Sequence, residues 1–333
     1  MRAAPWLVLA AAIAATGAAA ARWHALRHGL LDQPGERRSH SVPTPRGGGI
    51  GIAIAWLAGA AATGVLGILP KPLAVATVAG GLLVAGAGFA DDHRPLSPWW
   101  RLAAHCGAGA ALAAGLAAAG AGPWLALLTL AAVPVMVNVW NFMDGIDGLA
   151  ASQSLLVATG YALLAGTPAA ALLSLVLAAA CLGFLPFNFP RARIFLGDVG
   201  SGLLGFALAT VAGLLLLGDG DGGGAGLLPL LFLPASAFLV DASLTLGGRI
   251  VRGERWWTAH VGHAYQRLAA GLGSHVPVTL GYGAWTVAAI ALAAFSIGLG
   301  PGLRMAAAGT CAVLGILAWR ISTVSCPPQQ KDH

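Results

Sequence analysis

Charge is what this sequence mostly lacks, and the spacing of the few charged residues decides what the chain can fold into. Apolar windows run at about 3–21, 48–69, 72–90, 102–120, 122–139, 148–166, 168–186, 199–217, 227–246, 277–297 and 302–320. A helical bilayer crossing takes about 20 apolar residues, so each window is a candidate span. Asp, Glu, Lys and Arg make up 9% of the residues, against about 25% in a soluble domain. An ordinary soluble domain is excluded. The expected fold is an all-α polytopic membrane protein of about eleven transmembrane helices, filling residues 1–333 as one domain with no room for a separate soluble one. The 48 glycines lie largely inside apolar runs, where small residues let helices approach closely.

Orientation follows from the connections. With 22–47, 91–101, 140–147, 187–198, 247–276 and the tail on one side, 15 of the 18 Lys and Arg collect there, and only Arg2, Lys71 and Arg304 fall opposite. The positive-inside rule makes that side cytoplasmic, the N-terminus outside and the C-terminus inside. The first window also admits reading as a cleaved signal peptide, but it exceeds the roughly 7–15 residues of a usual signal core. Cys106, Cys181, Cys311 and Cys326 show no metal spacing and no disulfide frame. The net charge of +6 is spread along one membrane face, so no nucleic-acid partner is expected.

Nine of the twelve acidic residues share the proposed cytoplasmic side. Asp91 and Asp92 close the third window; adjacent carboxylates repel, so the pair calls for a metal, a basic partner such as Arg94 or Arg101, or a raised pKa. The bland alternative is a solvated helix end. Asn138, Asn141, Asp144 and Asp147 stand three apart, a spacing that drifts about 60° per step around a helix and predicts one polar flank. Oxygen-rich flanks suit hard cations and therefore a magnesium–phosphate site. Asp198 and Ser201 sit among Gly197, Gly200 and Gly202 just before a new window. Free backbone N–H groups at that helix start would hold an anion beside its metal.

The longest connection carries Arg249, Arg252, Arg255, Trp256, Trp257, His260, His263 and Arg267. These residue types grip pyrophosphate and stack on a base or sugar; a basic–aromatic belt at the headgroups is the alternative. His260 and His263 lack a third ligand for zinc. Asp241, inside the ninth window, is costly there and is either functional or a helix-pairing residue. His105 reads as a hydrogen-bonded helix contact. The alternating aspartates Asp219 and Asp221 read as a flexible turn, since no further acidic ligand for calcium follows.

Taken in order, Leu31-Asp32-Gln33-Pro34, Pro45-Arg46-Gly47-Gly48-Gly49, Asp91-Asp92, Asn138 to Leu149, and Phe195-Leu196-Gly197-Asp198 through to His263 resemble glycosyltransferase family 4. These are the polyprenyl-phosphate N-acetylhexosamine-1-phosphate transferases, which include the phospho-N-acetylmuramoyl-pentapeptide transferase. The resemblance implies a multi-span inner-membrane enzyme that moves a sugar 1-phosphate from a UDP-N-acetylhexosamine to undecaprenyl phosphate, releasing UMP. It implies Asp91, Asp92, Asp144 and Asp147 as catalytic residues, with Asp91 as base toward the lipid phosphate. Asn138, Asn141, Arg101, Asn188, Arg255, His260 and His263 would bind substrate, and Asp198, helped by Asn141 and Asp144, would hold Mg2+. The stretch Ala259 to Arg267 departs from the run of histidines in many members and is similar to the branch that starts O-antigen or other surface polysaccharide, sometimes with a deoxy-N-acetylhexosamine. Where many members carry a lysine after the aspartate pair, Arg101 stands as the candidate charge. A homodimer is compatible with the sequence. The rival class is a transporter or flippase, for which midplane charge is the usual mark.

Overall fold

The computed structural model describes residues 4–33, 42–218, 223–255, 257–258 and 261–325. The helices are α1 (Ala4–His28), α2 (Ile50–Val65), α3 (Lys71–His93), α4 (Pro98–Ala118), α5 (Pro123–Phe142) and α6 (Leu149–Leu163). They continue with α7 (Pro168–Asn188), α8 (Gly197–Leu217), α9 (Leu228–Val251), α10 (Ala264–Leu272), α11 (Val276–Ser296) and α12 (Pro301–Ser325). Each apolar window of the sequence falls on a helix, but among the described residues fewer helices than the eleven expected meet the length and hydropathy of a span. Eight of these helices are long and apolar enough to cross a bilayer, while α2 and α6 are apolar but shorter. The chain is therefore an all-α polytopic membrane protein. Among the described residues three features lie in connections: the short helix α10, a 3-10 turn at Gly223–Leu227, and an antiparallel pair, β1 (Leu31–Asp32) with β2 (Thr44–Pro45), registered Leu31 to Pro45 and Asp32 to Thr44.

Local chemistry sets the helix starts. Proline occupies the first turn of α3, α4, α5, α7 and α11, where a missing N–H costs nothing because that group has no partner within the helix. Ser97 caps α4 by accepting from the N–H of Trp99 at 3.4 Å, which puts Arg101 in the first helical turn. Thr167 does the same for α7 through Ala170.

Helix α8 is apolar around nearly its whole circumference and is buried along nearly its whole length, as an all-round apolar helix must be. It packs against α5 and α3, and α4 lies between α3 and α5. Along α12, Leu303, Met305, Val313, Leu314, Leu317, Ile321 and Val324 are exposed, a lipid-facing surface for a membrane protein. Close approach at the α3–α8 junction depends on Gly88: a Cβ there would overlap the backbone of Asp198 and Val199. The end of α3, with its two aspartates, is thereby held against the start of α8, with its one.

Candidate active site

The aspartate pair divides its work. Asp91 accepts from the Leu96 N–H at 2.5 Å and from Arg101 at 2.6 Å. Asp92 accepts from the backbone N–H groups of Asp198 at 3.1 Å and Val199 at 3.3 Å. Asp92 thus caps α8 from another helix, satisfying first-turn donors that have no partner in α8 itself. This corrects the expectation that those N–H groups stand free for a substrate anion: a carboxylate of the protein holds them. Of the two basic partners considered for the pair, Arg101 is the one engaged, and the same guanidinium lies 3.4 Å from Asp198.

Gly197 has φ +77°, a left-handed conformation that strains any side chain with a Cβ. A Cβ would also meet Asp92 Oδ2. The segment Pro45 to Gly49 lies alongside this turn, with Gly48 N–H donating to Phe195 O (2.9 Å), Gly49 N–H to Leu196 O (2.8 Å) and Phe195 N–H to Pro45 O (2.8 Å). Arg46 is carried in with it, bonded to Asp32 at 2.5 Å and 4.0 Å from Asp92. Sequence reasoning gave Arg46 no role, although a cation placed directly before three glycines was a usable signal.

The row of four polar residues does not form one flank. Helix α5 ends at Phe142 and the chain turns through Gly145 and Gly148, so the spacing of three loses its helical meaning halfway along. Asn138 donates to Pro134 O at 2.7 Å and meets His105 Nδ1 at 3.4 Å. Asn141 donates its amide to Asp198 at 2.9 Å and to Ser201 at 3.1 Å. Asp144, half-buried in the turn, has its pKa pushed up to about 7, first by burial and then by the charge of Asp92. Asp147 faces away, toward the start of α11: its carboxylate lies 3.2 Å from His275 and its carbonyl accepts from Thr279 at 2.9 Å.

A cleft lined by Gly88, Arg101, His105, Asn138, Asn141 and Asp198 opens between α3, α4, α5 and α8. The remaining sequence candidates lie elsewhere. Asn188 is buried, accepting from Gly148 N–H at 2.9 Å and donating to Ile194 O at 3.0 Å; it fastens two turns together. His263 is 2% exposed and sits 3.6 Å from Asp241. Arg255 is exposed and its carbonyl accepts from the buried Arg249 at 3.0 Å. Arg249 also pairs with Glu254 at 2.8 Å, and with Arg252 it holds the Glu254 carboxyl below its usual range. His260 and Trp256 lie outside the described residues, as do Pro34, Asp219 and Asp221.

Among the described residues, no three His, Cys, Asp or Glu side chains form a ready-made chelate. Mg2+ binds through one or two carboxylates, several waters and substrate phosphates rather than an all-protein cage. Asp198, whose side chain is 34% exposed, offers such a partial site, with Asn141 bonded to one of its oxygens.

Residues 74–215, which contain every group around this cleft, match the model of glycosyl transferase family 4. A Streptomyces coelicolor protein named as a glycosyltransferase is 32% identical over 312 residues, 91% of this chain and 73% of that protein. This chain belongs to glycosyl transferase family 4. It is also similar to the decaprenyl-phosphate N-acetylglucosaminephosphotransferase of Mycobacterium tuberculosis, at 36% identity over 57% of this chain and 55% of that enzyme. A phospho-N-acetylmuramoyl-pentapeptide-transferase of Synechococcus is 52% identical over 82 residues, 25% of this chain and 23% of that enzyme. The chain spans about half the length of the mycobacterial relatives it matches. Within the family 4 match, Ser201 partners Asn141, and His105, expected as a hydrogen-bonded helix contact, meets Asn138.

Proposed function

We propose that this family 4 member transfers an N-acetylhexosamine 1-phosphate, or a deoxy-N-acetylhexosamine 1-phosphate, from a UDP-sugar to undecaprenyl phosphate and releases UMP. The observation that carries the reading is the junction of α3, α5 and α8, where Arg101 spans Asp91 and Asp198 while Asn141 orients Asp198. The names of the relatives support it.

The reaction joins two anions. An oxygen of the lipid phosphate attacks the β-phosphorus, the bond from that phosphorus to the bridging oxygen breaks, and its electron pair leaves with UMP. Little bond chemistry is left for the protein, so its task is positioning and charge neutralisation. Arg101 is placed for an incoming phosphate, since it already lies against two carboxylates that a third anion can displace. Asn138 and Asn141 line the donor side of the cleft. Asp91 orients the lipid phosphate or takes its last proton; with a second pKa near 6, by analogy with phosphorylated side chains, that phosphate is largely dianionic at neutral pH. Mg2+, held by Asp198 with Asp144 and Asn141, would neutralise the pyrophosphate and the departing UMP.

The reading places eleven crossings in an inner membrane, the N-terminus outside, the C-terminus inside and the cleft at the cytoplasmic face, on the asymmetry of Lys and Arg. It places the reaction at the start of O-antigen or cell-wall polysaccharide assembly, and a homodimer is compatible with it. A transporter is the weaker reading because nearly all carboxylates gather at helix ends rather than at midplane, Asp241 inside α9 being the exception. The test is UMP release by purified protein in detergent with undecaprenyl phosphate and a panel of UDP-N-acetylhexosamines. Magnesium-dependent UMP from at least one donor is expected; none from any donor, or transport without a lipid-linked product, rejects the proposal.

A further inference from the structure

Asp241 belongs to α9, is 3% exposed, and takes no part in the cleft. Its carboxylate nevertheless has an unusual number of partners. Oδ1 accepts from the Ala264 N–H at 2.9 Å and from Thr245 at 3.1 Å, and Oδ2 accepts from the Tyr265 N–H at 3.2 Å and from Tyr282 at 2.7 Å. His263 adds a ring nitrogen at 3.6 Å from Oδ1. Ala264 and Tyr265 open α10, so their N–H groups have no acceptor within that helix. The carboxylate of α9 caps α10 as Asp92 of α3 caps α8. Four donors and the positive end of a helix make a buried carboxylate tolerable.

What α10 does with this anchor is visible in its second residue. Tyr265 is fully buried and donates its hydroxyl to Phe142 O, the last residue of α5, at 2.9 Å. The same hydroxyl fills the space beside Gly145, where a Cβ would overlap it. The His263 ring lies 6.1 Å from that of Phe142. Tyr265 therefore bears on the turn Phe142 to Gly145 from outside. On one side of that turn stands Asn141, bonded to Asp198; within it stands Asp144, which feels Asp92.

We propose that Asp241 is a positioning residue: by fixing the start of α10 it seats Tyr265, and Tyr265 sets the turn that holds Asn141 against Asp198 and carries Asp144. The role of those two residues rests on the function proposed above; the mechanical coupling does not. Asp241 acts through Tyr265 and touches no substrate.

The experiment uses the full chain in detergent, with Asp241→Asn, Tyr265→Phe and the matched control Trp285→Phe, which loses a part-buried bond to Ser236 of 2.9 Å that joins α11 to α9 outside the turn. Hydrogen exchange over residues 141–148 is expected to quicken in the first two variants and not in the control. Half-saturation by Mg2+, read with UDP present, is expected to rise about 10-fold, the scale of lost outer-shell support, with the KM for undecaprenyl phosphate unchanged. Should Asp241→Asn not fold, Tyr265→Phe decides alone. Exchange in 141–148 equal to wild type, or an equal change in the control, overturns the coupling. A wild type that binds neither Mg2+ nor UDP overturns the functional reading instead, and the exchange result still judges the coupling.

Discussion

Asp198 concentrates the electrostatics of the cleft, with Arg101 at one oxygen and Asn141 at the other. Asp198→Asn keeps the shape and removes the charge, so turnover is expected to fall at least about 100-fold in the UMP assay, while the melting temperature stays close to that of wild type. Retained activity would remove Asp198 from metal binding. Arg101→Ala leaves Asp91 and Asp198 without their shared counter-charge. It should raise the half-saturating concentration of lipid phosphate and lower turnover, whereas Arg101→Lys, with a point charge in place of the fork, should restore only part. Asp144 gives a pH dependence. Its folded pKa of about 7 lies above the unfolded value of about 4, so the folded state binds the extra proton between these values. The contribution of Asp144 to stability without metal is then expected to fall as pH rises from about 4 to about 7 and to level off above, read as the difference between wild type and Asp144→Asn. A cation needs the ionised carboxylate, so the rise in melting temperature on adding Mg2+ should be larger at about pH 8 than at about pH 6. Asp144→Asn should reduce that difference.

At the scale of elements, the cleft exists because α3, α5 and α8 meet at glycines and because helix starts are capped by carboxylates from other helices. Gly197→Ala meets two penalties, a left-handed backbone and the Asp92 carboxylate in the way. A destabilisation of about 1–3 kcal/mol is expected, measured by thermal or denaturant unfolding in detergent, together with lost Mg2+ response because Asp92 must shift. Element-level patterning was legible: each apolar window of the sequence lies on a helix, since hydropathy responds to the same length requirement that the helix meets. The row Asn138, Asn141, Asp144 and Asp147 was legible as chemistry but not as geometry. Its spacing implies one flank only if the helix continues, and the turn at Gly145 and Gly148 sends Asp147 to His275 instead.

For the whole molecule, the acidic groups around the cleft sit at the end of α3, just past the end of α5 and at the start of α8, not within their apolar lengths, which supports the proposed placement of the site at a membrane surface. Cysteines introduced singly at Arg252 and at Gly120, in the connections after α9 and α4, are expected to label from opposite membrane faces in intact cells, with position 120 reached from outside. The same face for both would overturn the proposed orientation.

The sequence by itself determined the membrane setting, the placement of the apolar helices and the residues capable of phosphate and cation chemistry, because bilayer thickness and the cost of buried charge act locally along a chain. It also marked Asp241 as exceptional without saying what for. Only the tertiary structure decided partners: that Asp91 faces Arg101 while Asp92 caps α8, that Arg46 reaches Asp92, and that Asp241 anchors α10. Those pairings join residues 10 to more than 100 positions apart, and a carboxylate chooses among donors by their position in space, which separation along the chain does not specify.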